Sequence, residues 1–196
     1  MMLAVSNALY DYWNAVKGDR GAPERNDIEP GAIRSILPDT FMLDLDDRRG
    51  FPLRIAGSRA NALMLRELRG TPFLELWRAA DRDQVSCILR RAAGKAEPHL
   101  LCAEARPAGL LPLEVEITLL PLRHQGSTRS RMLGSIAVES QPQWLGLAGA
   151  GAATLISSRP LELPMHERAV PKAAAVAPSR PFAQRGHLFV YSREGR

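Results

Sequence analysis

The stretch Leu110 to Leu122, "LLPLEVEITLLPL", constrains the fold more than any other. Leu113, Val115, Ile117 and Leu119 alternate with Glu114, Glu116 and Thr118, and only an extended strand puts such a period of two on one face. "HLLCAEARP" (His99 to Pro107) and "RMLGSIAVES" (Arg131 to Ser140) read as strands on either side of it. The links "AGL" and "RHQGSTRS" are short, so the three segments predict consecutive antiparallel neighbours. An earlier pair has the same character. "TFMLDLDD" sets Phe41, Leu43 and Leu45 against Met42, Asp44 and Asp46, and "FPLRIAG" follows the turn "DRRG" with Leu53 and Ile55 expected to point inward.

Between the two strand groups the period changes. Ser58 is placed to cap "RANALMLREL", "RGTPFLELW" reads as a turn and one helical turn, and Asp81 is placed to cap "RDQVSCILRRAAGK". Val85, Ile88, Leu89 and Ala92 form the inward stripe of that last helix. Ahead of the strands, Ser6 to Lys17 reads as an amphipathic helix capped by Ser6, with Leu9, Tyr12, Trp13 and Val16 on one side. In "PERNDIEPGAIRSILP", Pro30 suits a first helical position and Pro38 a stop, with Ile33, Ile36 and Leu37 as the buried stripe. The expected fold class is α+β: a five-stranded antiparallel sheet with short helices over one face and an N-terminal helical extension. The expected boundaries are an extension at 1–38, a core at 39–143, a C-terminal extension with a possible further strand at 144–163, and a disordered Pro/Ala/Arg-rich tail at 164–196.

Charge excludes more than it suggests. The net charge of +5 places +4 beyond Pro164, where six basic residues face Glu167 and Glu194, and leaves twenty basic against nineteen acidic groups elsewhere. A nearly neutral core argues against a nucleic-acid-binding face. Asn7 and Asp11 interrupt the first apolar run, and Trp144 to Ile156 is Gly-rich and too short to span a bilayer, so a cytoplasmic protein is expected. Cys87 and Cys102 sit in apolar segments and read as reduced core thiols rather than a disulfide.

The ordered combination of several short motifs resembles a PAS-domain family found as stand-alone proteins in alphaproteobacteria. These are an R-x-D-I-x-P leader (Arg25, Asp27, Ile28, Pro30), an L-P before the first strand (Leu37, Pro38) and an R-x-A-G closing the second (Arg54, Ala56, Gly57). An L-R-G-x-x-F-x-x-L-W run follows (Leu68, Arg69, Gly70, Phe73, Leu76, Trp77). Leu65 stands where such proteins tend to have Gly, and Met132 where an aromatic is common. The resemblance covers about Tyr12 to Leu163 and implies a PAS fold and a sensory or regulatory module rather than an enzyme. It implies no ligand or cofactor.

Specific chemistries find little support in the residues. The N-C-R motif of a flavin photosensor is absent, and Asp81 to Lys95 carries no axial histidine for haem. No histidines or cysteines have zinc-ligand spacing. His99 reads as a structural histidine, Glu114 and Glu116 as a solvated strand face, and no nucleophile is paired with a base. Leu43, Ile55, Phe73, Trp77, Leu89, Leu101, Val115, Ile117 and Ile136 are the candidate lining of an apolar ligand pocket, or else a solid core. Arg54 would fix a ligand carboxylate there or pair with a surface acid such as Glu67. Leu9, Tyr12, Trp13 and Val16 are the candidate partner surface, docking on the chain's own sheet or on a second copy's, and "HLFVYSR" (His187 to Arg193) is a candidate contact in the tail.

The leading expectation is a cytoplasmic PAS module of bacterial signalling that works through a small ligand or a protein partner. No kinase, cyclase or helix-turn-helix pattern follows the core, so output is expected to pass by contact. A nucleic-acid binder anchored by its basic tail is the alternative, and a small-substrate enzyme a weaker one.

Overall fold

The computed structural model describes residues 2–125, 127–161, 183–185 and 188–190. The chain divides into two units, Met1–Leu163 and Pro164–Arg196. The first unit is built on a six-stranded antiparallel sheet: β1 (Thr40–Asp44), β2 (Leu53–Ala56), β3 (His99–Ala105), β4 (Leu113–His124), β5 (Ser127–Ala137) and β6 (Thr154–Pro160). The strand order is β2-β1-β5-β4-β3-β6. The sixth strand corrects the expected count, because Thr154 to Pro160 pairs antiparallel with β3 from His99↔Pro160 to Glu104↔Thr154. The possible further strand of the C-terminal extension is therefore present at Thr154–Pro160 and completes the sheet. In the second unit, β7 (Ala183–Arg185) and β8 (Leu188–Val190) pair antiparallel. The rest of the disorder expected for 164–196, and His187 and Tyr191 to Arg193 of the candidate tail contact, lie outside the described residues.

Short helices cover one face of the sheet as expected, and the N-terminal helical extension covers the other. On one face α2 (Ser58–Met64) and α3 (Arg82–Lys95) enclose the main core with Phe41, Leu43, Leu101, Val115, Ile117, Leu119 and Ile136 from the strands. On the other, α1 (Ala4–Lys17) packs Leu9, Tyr10 and Trp13 against Met42, Leu100, Leu120, Leu122 and Leu133. The sequence carries the signal in adjacent apolar pairs (Met42–Leu43, Leu100–Leu101, Leu119–Leu120), since neighbours on a strand point to opposite faces. An alternation reading of Leu113 to Leu119 alone does not register it.

The second layer is tied down by hydrogen bonds at the end of β4. β3 stops pairing at His99↔Leu119, so β4 runs on without a neighbour on that side. The Trp13 indole N–H donates to the Pro121 carbonyl at 2.8 Å, and the Arg123 amide donates to the Pro23 carbonyl at 2.8 Å. This is also why a proline is tolerated in an otherwise internal strand: Pro121 lies where no ladder partner would require its amide hydrogen. At the other end of α1, the Leu3 amide donates to Glu116 Oε1 at 2.8 Å. Glu116 is thus buried against a helix N-terminus, where a carboxylate is favoured, and is not on a solvated face; Glu114 is exposed.

The leader from Ala22 to Asp39 is fixed by its own polar groups. It makes three short 3-10 turns, Arg25–Asp27, Pro30–Ile33 and Leu37–Asp39. Asp27 accepts from the Glu24 amide at 3.0 Å and pairs with Arg20 at 2.7 Å. The Tyr12 hydroxyl accepts from the Glu29 amide at 2.7 Å. Ile33 and Ile36 are buried as expected, but Leu37 is exposed because the last turn begins anew at it. Arg59 on α2 closes the segment, donating from Nε to Asp39 Oδ1 at 2.6 Å and from Nη2 to Asp39 Oδ2. The bidentate carboxylate holds the Arg59 guanidinium above its ordinary pKa.

Two expected caps fall elsewhere, and a third holds its place without a capping bond. α1 begins at Ala4 and buries Ser6 in its first turn, and α2 is capped at Gly57 rather than Ser58. Asp81 does precede α3, but its Oδ2 accepts from the Leu155 amide of β6 at 3.1 Å instead. Close approach explains one glycine: a Cβ at Gly134 would lie 2.3 Å from Phe41 Cζ, whose ring packs over β5 there.

Leu65 ends α2 with φ +51°, the left-handed region that costs an L-residue about 1 kcal/mol and a glycine nothing. It is half exposed, so little packing opposes the change. Leu65→Gly is expected to raise stability by about 1 kcal/mol in chemical denaturation, and a loss would refute the strained-cap reading. Asp27 gives a second expectation. The Arg20 hydrogen bond, then the Glu24 amide, hold its carboxyl below the usual carboxylate range in the folded state. Its contribution is therefore present above the unfolded-state pKa and lost as pH falls through the lower folded value. Acid titration of folding should show a smaller loss of stability at low pH in Asp27→Asn than in the wild type.

Candidate functional site

Eight of the ten pocket candidates come together. Leu43, Phe73, Trp77, Leu89, Leu101, Val115, Ile117 and Ile136 are all at most 5% exposed and belong to one continuous cluster under α2 and α3. Its centre is a run of rings: Phe41 stacks on Phe73 at 5.5 Å, and Phe73 meets Trp77 edge-on at 5.9 Å. Such pairs add to the area they bury because ring edges and faces carry opposite partial charge.

The other two candidates leave the core, for a specific reason. The β1–β2 ladder shifts register between Met42 and Leu43, pairing Met42 with Ile55 but Leu43 with Leu53. The bulge leaves Arg54 unpaired and turns Leu53 and Ile55 to opposite faces. Leu53 is buried in the main core, while Ile55 is 55% exposed on the far face. The expectation that both point inward is corrected by that one inserted residue. Arg54 does pair with a surface acid, but with Asp44 at 3.2 Å rather than Glu67. Glu67 instead accepts from the Asn61 side chain and the Arg69 amide, each at 3.1 Å.

Trp77 is the polar exception in the core. It has no exposed surface, yet its indole Nε1 has no acceptor among the described residues. Its backbone is fully engaged. The Trp77 carbonyl accepts from Arg82 Nε at 3.2 Å, and the flanking Leu76 carbonyl and Arg78 amide bond to Ala153 at 2.8 and 2.9 Å. Ala150 and Ala153 thus close the core over the ring, a contribution of the segment before β6 that strand patterning did not reveal. Trp77 also fronts a cleft of about 540 Å³ walled by Arg78, Arg82 and Arg106. A buried donor without an acceptor costs about 1–3 kcal/mol, so this N–H is the place in the core where an incoming oxygen or nitrogen would be favoured.

The partner-surface candidates are distributed differently. Leu9 and Trp13 are fully buried against the chain's own sheet, and Tyr12 and Val16 are half-buried at its margin. His99 is buried with Nδ1 3.0 Å from the Glu97 carbonyl. Both thiols are free, and Cys87 is exposed on α3 rather than in the core, since the inward stripe passes through Val85 and Leu89. Among the described residues no group of three or more His, Cys, Asp or Glu side chains is placed to hold a metal ion. Among them too, no helix is long and apolar enough to cross a membrane.

The family model described as "PAS domain" matches residues 1–137. The chain belongs to the PAS domain family. No curated protein matches it. The match begins with α1 and the leader and ends with β5, so the PAS match includes the N-terminal extension. PAS membership makes this a sensory or signalling domain in general terms, and its helix-covered core is where Trp77 lies.

The two buried tryptophans provide an internal comparison. Trp13→Phe leaves the Pro121 carbonyl without its indole donor, whereas Trp77→Phe removes a donor that has no partner among the described residues. Both create a similar void. Trp13→Phe is expected to cost about 2 kcal/mol more than Trp77→Phe in urea unfolding; equal costs would show that the Trp77 N–H is satisfied.

Proposed function

We propose that this PAS module is a cytoplasmic sensor or regulator of bacterial signalling, of the stand-alone kind known in alphaproteobacteria. It acts by binding rather than by catalysis. Its ligand is a small, mostly apolar molecule with one hydrogen-bond acceptor, received in the main core beside Trp77. The observation that carries the reading is the fully buried Trp77 indole N–H, without an acceptor among the described residues. The surrounding lining of Leu43, Phe73, Leu89, Leu101, Val115, Ile117 and Ile136 offers apolar contact on every side. A ligand there would displace the 3-10 turn ending at Leu76 and the Ala150–Ala153 segment bonded to it, changing the surface offered to a protein partner.

Native mass spectrometry of freshly purified full-length protein tests this. The expected spectrum carries one added small mass per chain, lost in Trp77→Phe and kept in Leu65→Gly. Apo spectra from cells grown under varied conditions, together with no thermal shift across a library of small apolar acceptors, would overturn it.

A further inference from the structure

Three of the four motifs on which the resemblance rests each send an arginine to one hollow. Arg25 of the leader, Arg54 closing β2 and Arg69 of the L-R-G run line a concavity of about 660 Å³, joined by Arg131 of β5. The hollow lies on the sheet face away from the main core, where Met42 and the exposed Ile55 supply apolar surface. The bulge that turns Ile55 outward is thus part of how this surface is made.

Its charges do not balance. Asp44 serves both Arg54, at 3.2 Å, and Arg131, at 3.1 Å. Asp44 adjoins the hollow, and Glu67 is the acid of its wall, with oxygens taken by an amide and an asparagine side chain. Among the described residues the guanidinium groups of Arg25 and Arg69 have no carboxylate partner. Four lining cations against Glu67 and the adjoining Asp44 leave an excess of two positive charges. Arginines gathered without counter-charges repel one another and stabilise nothing by themselves, so a structural role accounts for Arg54 and Arg131 but not for Arg25 and Arg69.

We infer that this hollow is a binding site for a small organic phosphate. Two unpaired guanidinium forks call for two negative charges in one place. A phosphomonoester brings about −1.5 to −2 at neutral pH on oxygens that accept bidentate hydrogen bonds, where a single carboxylate brings only one charge. The volume lies within the range of small-molecule sites, and Met42 and Ile55 would receive the apolar body of the ester. The site is separate from the core beside Trp77 and does not depend on it.

Isothermal titration of the full chain with phenyl phosphate, at about 150 mM salt to suppress non-specific attraction, tests the inference. One saturable site is expected. Arg25→Gln and Arg69→Gln should each weaken it by about tenfold, and the double variant by about a hundredfold. Arg34→Gln, an exposed arginine outside the hollow, should leave affinity unchanged, as should Trp77→Phe. Affinity should fall between pH 7.5 and 5.5 as the phosphate gains its second proton, near pH about 6. Benzoate binding as tightly as phenyl phosphate would overturn the charge argument, as would equal losses in Arg34→Gln. Inorganic phosphate matching phenyl phosphate would overturn the apolar part. If the double variant changes subunit number but not phosphate affinity, the hollow is a contact between copies and the inference is wrong.

Discussion

The free end of β4 is the constraint from which the two-sided architecture follows. Once β3 has ended at His99↔Leu119, the Pro121 carbonyl and the Arg123 amide face a side with no strand. Buried backbone groups cannot remain unpaired without a cost comparable to the gain from a whole side chain's burial. Trp13 and Pro23 meet both demands and so bring α1 and the leader onto the sheet. Burial of Leu9, Trp13, Leu120 and Leu122 then makes the second apolar layer possible. Deleting α1 would therefore strip a sheet face and unpair a strand end together.

The bulge at Met42/Leu43 divides the functional surfaces in a comparable way. One extra residue in β2 keeps Leu53 under the helices, sends Ile55 to the far face and frees Arg54 from the ladder. The two proposed sites, the apolar, enclosed core beside Trp77 and the basic, open hollow around Arg54, are thereby separate surfaces of one sheet, built by the same pair of strands.

Much of the fold was legible locally. Alternation in β1, β3, β4 and β5, the inward stripe of α3 and the proline-bounded leader all appear where short-range patterns place them. Eight of ten core candidates were legible too, because an apolar residue at the right period is buried whichever helix covers it. The caps expected at Ser6 and Ser58 lie at Leu3 and Gly57, and Asp81 holds its cap position without bonding α3, because surroundings decide what a side chain finds to bond. For Asp81 that was the amide of Leu155, 74 residues away. Ile55 failed because a bulge leaves no mark in the spacing of apolar residues.

By itself the sequence determined the elements, their order and the residues that must leave water, since period and proline placement act over a few residues at most. It also determined that Trp77 is buried and that Arg25, Arg54 and Arg69 belong to recurring motifs. Only the tertiary structure decided that, among the described residues, Trp77 lacks an acceptor while Trp13 has one, and that three distant arginines share one hollow with too few acids. Both are properties of what surrounds a polar group. The chain brings those surroundings together only when β1, β2 and β5 pair and both faces of the sheet are covered.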